Sequence, residues 1–180
     1  MSQILQPSFF DRDAVSAARD LLGTHLVRLL DGVRLSGIIV EAEAYRGEED
    51  LACHARAGRT PRTQVMYGPP GRAYIYFTYG MHWMLNCVAG PENFPAAVLV
   101  RAVLPQEGLE VIAARRAGRA RTIWCDGPGK LTLAFGIDGG LNGVNLCSTA
   151  GGLWLEAGDP VPDDRVIAGP RVGLGSTPEP

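Results

Sequence analysis

Cysteine is scarce in this 180-residue sequence, and no two cysteines stand in the C-x-x-C spacing of a metal or redox motif. The four that occur lie far apart in the chain: Cys53, Cys87, Cys125 and Cys147. Such spacing argues against both a zinc site and a disulfide framework. We therefore expect reduced thiols with a structural role and no bound metal.

Long apolar stretches are also absent, so we expect no segment that spans a membrane. The first residues, MSQILQPSFFDRD, lack the basic start and apolar run of a signal peptide. The hydrophobic content of 46% is enough for one compact domain with a sizeable core. We expect a single domain over residues 1–180, with 172–180 as a frayed tail, in a soluble protein of the cytoplasm.

Lysine is almost missing: of the 17 basic residues only Lys130 is a lysine, and the formal net charge is -2. Domains that bind nucleic acids are usually basic, so this charge argues mildly against such a partner. The arginines nevertheless cluster in two groups: Arg56, Arg59, Arg62 and Arg72, then Arg115, Arg116, Arg119 and Arg121. Arginine can hold phosphate oxygens with two parallel hydrogen bonds, so both a nucleic-acid-binding face and ordinary solvated surfaces stay open.

The first half of the chain predicts a helix, a β-hairpin and a long loop. Asp11 is expected to cap a helix in RDAVSAARDLL, and Gly23 to end it. The segments HLVRLL and VRLSGIIVEAEAY flank an Asp-Gly pair at 31–32, which is a strong hairpin signal. Residues 51–71 show little periodicity and predict a structured loop of a length that is more often functional than idle.

The second half predicts further strands and two helices. RAYIYFTY and WMLNCVA read as strands joined by a turn at 79–82, and AAVLVRAVL as an apolar strand. One helix is expected in PQEGLEVIAARRAG, starting at its proline, and another in GPGKLTLAFG, capped by Asp126. Short strands are expected in GVNLC, GLWLEAG and DRVIAGPRVGL. The whole predicts an α+β domain built around a mostly antiparallel sheet.

A pair of carboxylates lies in the segment EAEAYRGEED. Alternate side chains of a strand share a face, so Glu41, Glu43 and Tyr45 are expected to point the same way. A carboxylate backed by an aromatic ring could deprotonate a water for attack on an acetal-like carbon. A solvated strand face is the more frequent meaning of such a short pattern, and the residues alone leave both interpretations open.

The run YIYFTYG at 74–80 contains three tyrosines that are not equivalent. Tyr74, Tyr76 and Thr78 share one face of the predicted strand, where they can line a pocket or simply pack on the sheet. Tyr79 has the opposite parity and stands next to Gly80, where a turn can expose its ring. The sequence therefore predicts a hairpin tip at Tyr79.

Four other polar residues are candidates for a site. His54, in the predicted loop, could supply a flat wall or a polar contact, although most loop histidines are only solvated. Asn86 and Arg101 interrupt apolar strands, so burial would require partners for them. The predicted helix start at DGPGK offers free N–H groups and Lys130, which suits a phosphate, but it lacks the spacing of a P-loop.

The order of these motifs resembles the alkyladenine (3-methyladenine) DNA glycosylase family, the type found in mammals. The resemblance runs over roughly residues 8–146, and it is carried by IVEAEAYRGEEDLACHARAGRTPR, MYGPPGRAYIYFTYGMHWMLN, AAVLVRAVLPQEG and DGPGKL. It implies a curved, open-barrel-like sheet with a protruding hairpin and flanking helices. It also implies an enzyme without a cofactor that flips a damaged purine out of duplex DNA and hydrolyses its N-glycosidic bond.

The resemblance implies a role for each matching residue. Glu43 matches the general base that activates the water, and Arg101 matches the arginine that helps to hold that water. Tyr45, His54 and Tyr76 match the rings that sandwich the flipped base.

Two further matches concern selectivity and insertion. Asn86 matches the residue that crowds the exocyclic amine of normal guanine, and Tyr79 matches the tyrosine that enters the minor groove. We further expect Tyr74 in the base pocket. Contacts to the DNA backbone are expected from Arg59, Arg62 and Lys130.

The expected partner is double-stranded DNA with damaged purines, bound by a monomer, and the protein would be associated with the nucleoid in a bacterium. Family members commonly continue past the last strand with an aromatic and basic segment, so we expect its contacts to be missing or replaced after RVGLGSTPEP. Two alternatives remain: a non-catalytic module that binds damaged DNA, and a hydrolase of free nucleosides. The arginine clusters and the exposed tyrosine favour DNA over the free nucleoside.

Overall fold

The computed structural model describes residues 3–174, in which six β-strands form one antiparallel sheet beside four α-helices. The strands are β1 His25–Leu30, β2 Val33–Arg46, β3 Ala73–Thr78, β4 His82–Ala89, β5 Ala96–Glu107 and β6 Leu153–Glu156. The helices are α1 Pro7–Phe10, α2 Ala14–Leu21, α3 Leu109–Arg115 and α4 Pro128–Phe135. The spatial order of the strands is β3-β4-β5-β2-β1-β6, and the sheet curls into a half-barrel. The predicted α+β class with an antiparallel sheet is confirmed.

The main core lies on the face of the sheet that the helices cover. Helix α2 packs on β2, and helix α4 packs on β4 and β5. Phe10, Leu21, Leu85 and Phe135 are completely buried there. Burial of a large apolar side chain stabilises the fold by about 1.5–3 kcal/mol, so this layer supplies the rigid support for the opposite face.

The long loop between β2 and β3 closes the other face of the sheet. It contains two short 3-10 helices, His54–Ala57 and Gln64–Tyr67, in agreement with the predicted structured loop. A second buried cluster joins it to the strands: Cys53, Ala55, Met66, Tyr67, Tyr74, Val88 and Ala97. The predicted functional side chains lie beside this smaller cluster.

The two predicted hairpins are confirmed. At the first turn Asp31 and Gly32 both have positive φ, 49° and 81°, as a two-residue type I′ turn requires. At the second turn Tyr79 and Gly80 have φ of 53° and 67°, and Met81 N donates to Thr78 O at 3.1 Å. The strands leave both turns in register, with Leu30 opposite Val33 and Thr78 opposite His82.

The predicted helix caps at Asp11 and Asp126 are wrong. Asp13 caps α2, because its Oδ2 accepts hydrogen bonds from Val15 N at 3.0 Å and Ser16 N at 3.1 Å, whereas Asp11 ends the preceding helix α1. Gly127, and not Asp126, occupies the N-cap of α4. The Asp126 side chain is engaged elsewhere, because its Oδ1 accepts from Lys130 Nζ at 2.9 Å.

Two other predicted boundaries also differ. The chain remains in β5 through Pro105, because the residues around it pair with β2 at a register shift, where a proline is tolerated. Helix α3 therefore starts only at Leu109, after Gly108 has turned the chain with φ 68°.

Of the three short strands predicted near the C-terminus, only the one in GLWLEAG forms. GVNLC contributes a single bridge between Arg72 and Asn145. DRVIAGPRVGL forms no strand: it overlaps the 3-10 turn Asp163–Arg165 and ends in a turn at 172–173 beside the pocket. The tail expected to fray comprises residues 172–180. Its first residue is held in place, because Val172 N donates to Glu43 Oε1 at 2.6 Å, and residues 175–180 lie outside the described part.

Between residues 3 and 174, no helix combines the length and apolar character needed to cross a bilayer. All four cysteines are free thiols, as expected from their spacing.

Candidate active site

A pocket of about 360 Å³ lies on the sheet face opposite the helices. Strands β2 to β5 form its floor, the 51–71 loop forms one wall, and residues 172–174 form another. All of the side chains predicted for catalysis and base binding line it, together with the tyrosine of the hairpin tip: Glu43, Tyr45, His54, Tyr74, Tyr76, Tyr79, Asn86 and Arg101. The volume lies within the range of pockets that hold small organic groups.

Glu43 lines the pocket and is buried, with 7% of its surface exposed. Its Oε1 accepts from Val172 N at 2.6 Å and lies 3.4 Å from Arg101 Nη1. Its Oε2 accepts from Tyr45 Oη at 3.1 Å. A carboxylate has about four acceptor positions, so three groups fix its orientation and one position on Oε2 is left for a further donor.

Tyr45 donates to Glu43 because both side chains leave β2 on the same face, as the strand parity predicted. Burial, with the adjacent Glu43 charge, raises the pKa of the Tyr45 hydroxyl. The hydroxyl therefore stays protonated at neutral pH and acts as a donor.

Arg101 reaches the carboxylates from an irregular part of the sheet. Ala42 pairs with Val100 and Glu41 with Ala102, so the pairing skips Arg101. A bulge of this kind changes the direction of a side chain and is common beside active sites. Arg101 Nε donates to Glu41 Oε1 at 2.8 Å.

The charge of Arg101 is secure despite its partial burial. Burial opposes the charged form, but the hydrogen bond to Glu41 and the charges of Glu43 and Glu41 raise the pKa of Arg101 above its ordinary value. Arg101 is thus a permanent cation beside Glu43. Glu41, whose side chain is 45% exposed, serves as its outer anchor.

Three aromatic rings form a contiguous wall. The His54 and Tyr76 ring centroids are 4.4 Å apart, edge to face, and those of Tyr74 and Tyr76 are 5.4 Å apart. His54 Nδ1 lies 2.9 Å from Tyr74 Oη, which fixes the imidazole. Burial, helped by the positive charge of Arg62, lowers the pKa of His54 to about 4. His54 is therefore a neutral flat ring at pH 7.

Asn86 is almost completely buried, with 3% of its surface exposed. Its Nδ2 donates to Tyr74 O across the β3–β4 pair at 3.0 Å, which supplies the partner that burial demands. This bond holds the amide at the pocket surface.

The hairpin tip projects apolar side chains. Tyr79 is 81% exposed and Met81 67% exposed. Tyr79 adopts a left-handed backbone, which costs a residue with a side chain about 1–2 kcal/mol. Such strain at an exposed ring is typical of a functional position. The sequence predicted the exposure of Tyr79 but gave no reason to select Met81.

The residues predicted to contact the DNA backbone have different surroundings. The Arg62 guanidinium lies 5.1 Å from the Tyr76 ring centroid, beside the pocket, and that of Arg59 lies 5.3 Å from the Tyr67 ring. The Lys130 ammonium is engaged by Asp126. Their contacts with DNA stay predictions.

Sequence reasoning missed an ion pair behind the pocket. The Arg171 Nη1 and Nη2 atoms donate to Asp50 Oδ2 and Oδ1 at 2.6 and 3.0 Å, and both side chains are buried. No local pattern could have found a pair whose members stand 121 positions apart.

Within residues 3–174, no group of three or more His, Cys, Asp or Glu side chains is placed to hold a metal ion.

Comparison with known proteins identifies the class and then the family. The relatives are named as 3-methyladenine DNA glycosylases, and the chain is accordingly a DNA glycosylase, a hydrolase whose substrate is DNA. The sequence profile described as methylpurine-DNA glycosylase matches residues 8–179, and the chain belongs to this family. The resemblance noted from the motifs is confirmed, and the match extends beyond residue 146 into the segment with Arg171.

Three relatives illustrate the similarity. The protein of Carboxydothermus hydrogenoformans is 43% identical over 96% of this chain and 90% of its own length. The protein of Methanocella arvoryzae is 45% identical over 95% of this chain and 84% of its own. For Myxococcus xanthus the identity is 49%, over 94% and 81% respectively.

Proposed function

We propose that the protein is a monofunctional glycosylase of base excision repair, which removes alkylated or deaminated purines from duplex DNA. Candidate bases are 3-methyladenine, 7-methylguanine, hypoxanthine and ethenoadenine. A water activated by Glu43 hydrolyses the N-glycosidic bond and leaves an abasic site. The observation that carries this proposal is the buried Glu43 carboxylate, oriented by Tyr45, Val172 and Arg101 at one end of an aromatic pocket.

The reaction needs only one base in the proposed step. The water donates one proton to the open position of Glu43 Oε2, and its oxygen forms a bond with C1′ of the sugar. The C1′–N bond breaks, and its electron pair leaves with the purine. A cationic alkylated purine leaves as a neutral base, so no acid is required for it. A neutral purine, such as hypoxanthine or ethenoadenine, leaves as an anion that takes up a proton from solvent water. The Arg101 cation lies 3.4 Å from Glu43 Oε1 and helps to orient the carboxylate towards the water.

The aromatic residues are proposed to hold the flipped purine. Tyr45 stands next to Glu43, while His54 and Tyr76 contact each other in the wall that Tyr74 continues. Stacking on such rings is worth about 1–3 kcal/mol per base. The rings also attract cationic purines through their electron-rich faces. A neutral His54 suits this role, because a protonated imidazole would repel a cationic base.

Selectivity is proposed to arise at Asn86 and in the DNA itself. The amide is held rigidly by Tyr74 O, so it cannot move aside for the exocyclic amine of normal guanine. Damaged and mispaired bases also cost less to extrude from the duplex. Both effects disfavour the excision of undamaged purines.

Tyr79 is proposed to enter the minor groove and fill the space left by the flipped base. The ring is exposed and lies at the strained tip of the hairpin. This position suits insertion, because a side chain that enters DNA must project from the protein surface. Phosphate contacts are assigned to Arg59, Arg62 and Lys130. We also propose that the protein acts as a monomer. Because its substrate is DNA, we expect it in the compartment that holds the chromosome.

The test is base release from duplex oligonucleotides, each carrying one of the candidate bases, by the wild type, Glu43→Gln and Glu41→Gln. We expect the wild type to release base and Glu43→Gln to lose about 10²- to 10⁴-fold in rate while it retains DNA binding. Glu41→Gln is the matched control, because it removes the neighbouring carboxylate that contacts Arg101. A greater loss of release rate in Glu41→Gln would assign the role of general base to Glu41. If the wild type binds the duplexes but releases no purine, the protein is a damage-binding module and not an enzyme.

A further inference from the structure

We propose that the buried ion pair between Asp50 and Arg171 is a positioning device for the water-activating site. It would hold the segment at 171–172 so that the Val172 amide orients Glu43 and the guanidinium supports the Tyr45 ring. We call the pair Asp50–Arg171 the latch. This inference rests on the proposed function of Glu43.

The Asp50 half of the latch is fully satisfied by hydrogen bonds. Its Oδ2 accepts from Arg46 N at 3.1 Å and its Oδ1 from Ala52 N at 3.0 Å, in addition to the two bonds from Arg171. Asp50 is completely buried. Burial alone would favour the neutral acid, but these four bonds and the arginine charge lower the pKa of Asp50. Asp50 is therefore a fixed anion that ties the end of β2 to the start of the 51–71 loop.

The Arg171 half of the latch reaches two sides of the site. Its guanidinium lies 4.8 Å from the Tyr45 ring centroid, and Nη1 also donates to Ala44 O at 3.2 Å. The next residue, Val172, donates its amide to Glu43 Oε1 at 2.6 Å. The latch thus positions the Val172 amide that donates to Glu43, and its guanidinium covers one face of the Tyr45 ring.

The latch acts through its neighbours, since neither Asp50 nor Arg171 lines the pocket, whereas Val172 and Tyr45 do. If the latch opens, Glu43 keeps its contacts with Tyr45 and Arg101 but loses the hydrogen bond from Val172 N. The carboxylate is then free to rotate, and the open position on Oε2 moves relative to the sugar. Misplacement of a reacting group by about 1 Å can lower a rate about 100-fold.

The chain offers a matched control at the other end of the sheet. Arg34 forms a two-bond pair with Glu156, at 3.1 Å to Oε1 and 2.9 Å to Oε2, and its guanidinium lies 5.7 Å from the Trp154 ring. This pair resembles the latch in its two parallel bonds and its neighbouring ring, and none of its residues lines the pocket. Arg34 is 38% exposed, against 7% for Arg171, and it also donates to Glu107 Oε2 at 2.8 Å. Arg34→Gln therefore reports the effect on stability of losing a two-bond ion pair together with the bond to Glu107.

The experiment compares Arg171→Gln, Arg171→Lys, Arg34→Gln, Glu43→Gln and the wild type. For each, we would measure single-turnover release of ethenoadenine from a duplex at saturating enzyme, affinity for the same duplex, and the melting temperature. Arg171→Gln is expected to lose about 10- to 100-fold in the release rate and much less in affinity. Arg171→Lys keeps the charge without the planar fork and is expected to recover part of that rate.

The outcomes separate the latch from the proposed function. A slow Arg171→Gln beside a fast, similarly destabilised Arg34→Gln supports the latch. Wild-type release by Arg171→Gln, or equal losses in both arginine variants, overturns the latch while the role of Glu43 stands. If Arg171→Gln does not fold, Arg171→Lys decides by the same comparison with Arg34→Gln. If the wild type releases none of the candidate bases, the proposed function fails, and the catalytic role of the latch fails with it.

Discussion

Replacement of Tyr79 by glycine should stabilise the folded protein and at the same time weaken its binding to damaged DNA. Tyr79 has φ 53° and is 81% exposed, so its ring contributes almost no packing to the folded chain. Glycine adopts this backbone without the cost of about 1–2 kcal/mol, but it adds about 0.5–1 kcal/mol of chain entropy to the unfolded state. The expected net gain is about 0–1.5 kcal/mol, and its midpoint of about 0.75 kcal/mol corresponds to about 1.5–3 °C in melting temperature for a chain of this size.

The functional effect of the same change has the opposite sign. Without the inserted ring, the flipped state loses a stacking partner worth about 1–3 kcal/mol. Affinity for duplex DNA with ethenoadenine should therefore fall roughly 5- to 150-fold. The assays are thermal denaturation of the free protein and titration of a labelled duplex.

Tyr79→Ala is the matched control for this prediction. It removes the same ring but retains a side chain in the left-handed conformation, so it should show the loss of DNA affinity without the gain in melting temperature. Wild-type affinity in both variants would refute the assignment of Tyr79 to the vacated stack. A lower melting temperature for the glycine variant would refute the argument from backbone strain.

Two further predictions concern the base pocket. Asn86→Ala should increase the excision of undamaged guanine relative to hypoxanthine, and unchanged selectivity in a competition assay would contradict this. It should also destabilise the fold by about 1–3 kcal/mol, because Tyr74 O loses its donor. The His54 pKa of about 4 lies below its unfolded value of about 6.5, so its contribution to stability is complete above pH 6.5 and lost as pH falls towards 4. Discounted for partial exposure, this contribution is about 1–2 kcal/mol. In urea denaturation His54→Gln should show a shallower loss of stability over that interval, and equal slopes would argue against a buried neutral His54.

The two hairpin turns, which depend on local sequence, were predicted correctly, whereas the N-caps of α2 and α4 were not. The Asp31-Gly32 turn needs two residues with positive φ, and that requirement is visible in the residue types themselves. Helix α3 was placed too early because Pro105 looks like a helix start locally, whereas pairing with β2 keeps it in a strand. Local preference was overridden there by tertiary contacts that no short segment encodes.

The same distinction applies to the site. Strand parity correctly placed Glu43 beside Tyr45, because two residues of one strand were involved. The contact of Arg101 with the carboxylates depends on a bulge in β5, and the Val172 contact joins residues 129 positions apart. Neither leaves a periodic signal. The segment DRVIAGPRVGL was predicted to be a strand and residues 172–180 a frayed tail, although residues 172–174 line the pocket and Val172 reaches Glu43.

The most direct test of the central claim is the rate of ethenoadenine release by Glu43→Gln, measured on enzyme already shown to be saturated with the damaged duplex. Activation of the water by Glu43 predicts that the variant binds like the wild type and releases base at least about 100-fold more slowly. Release at the wild-type rate from the saturated variant would contradict that claim.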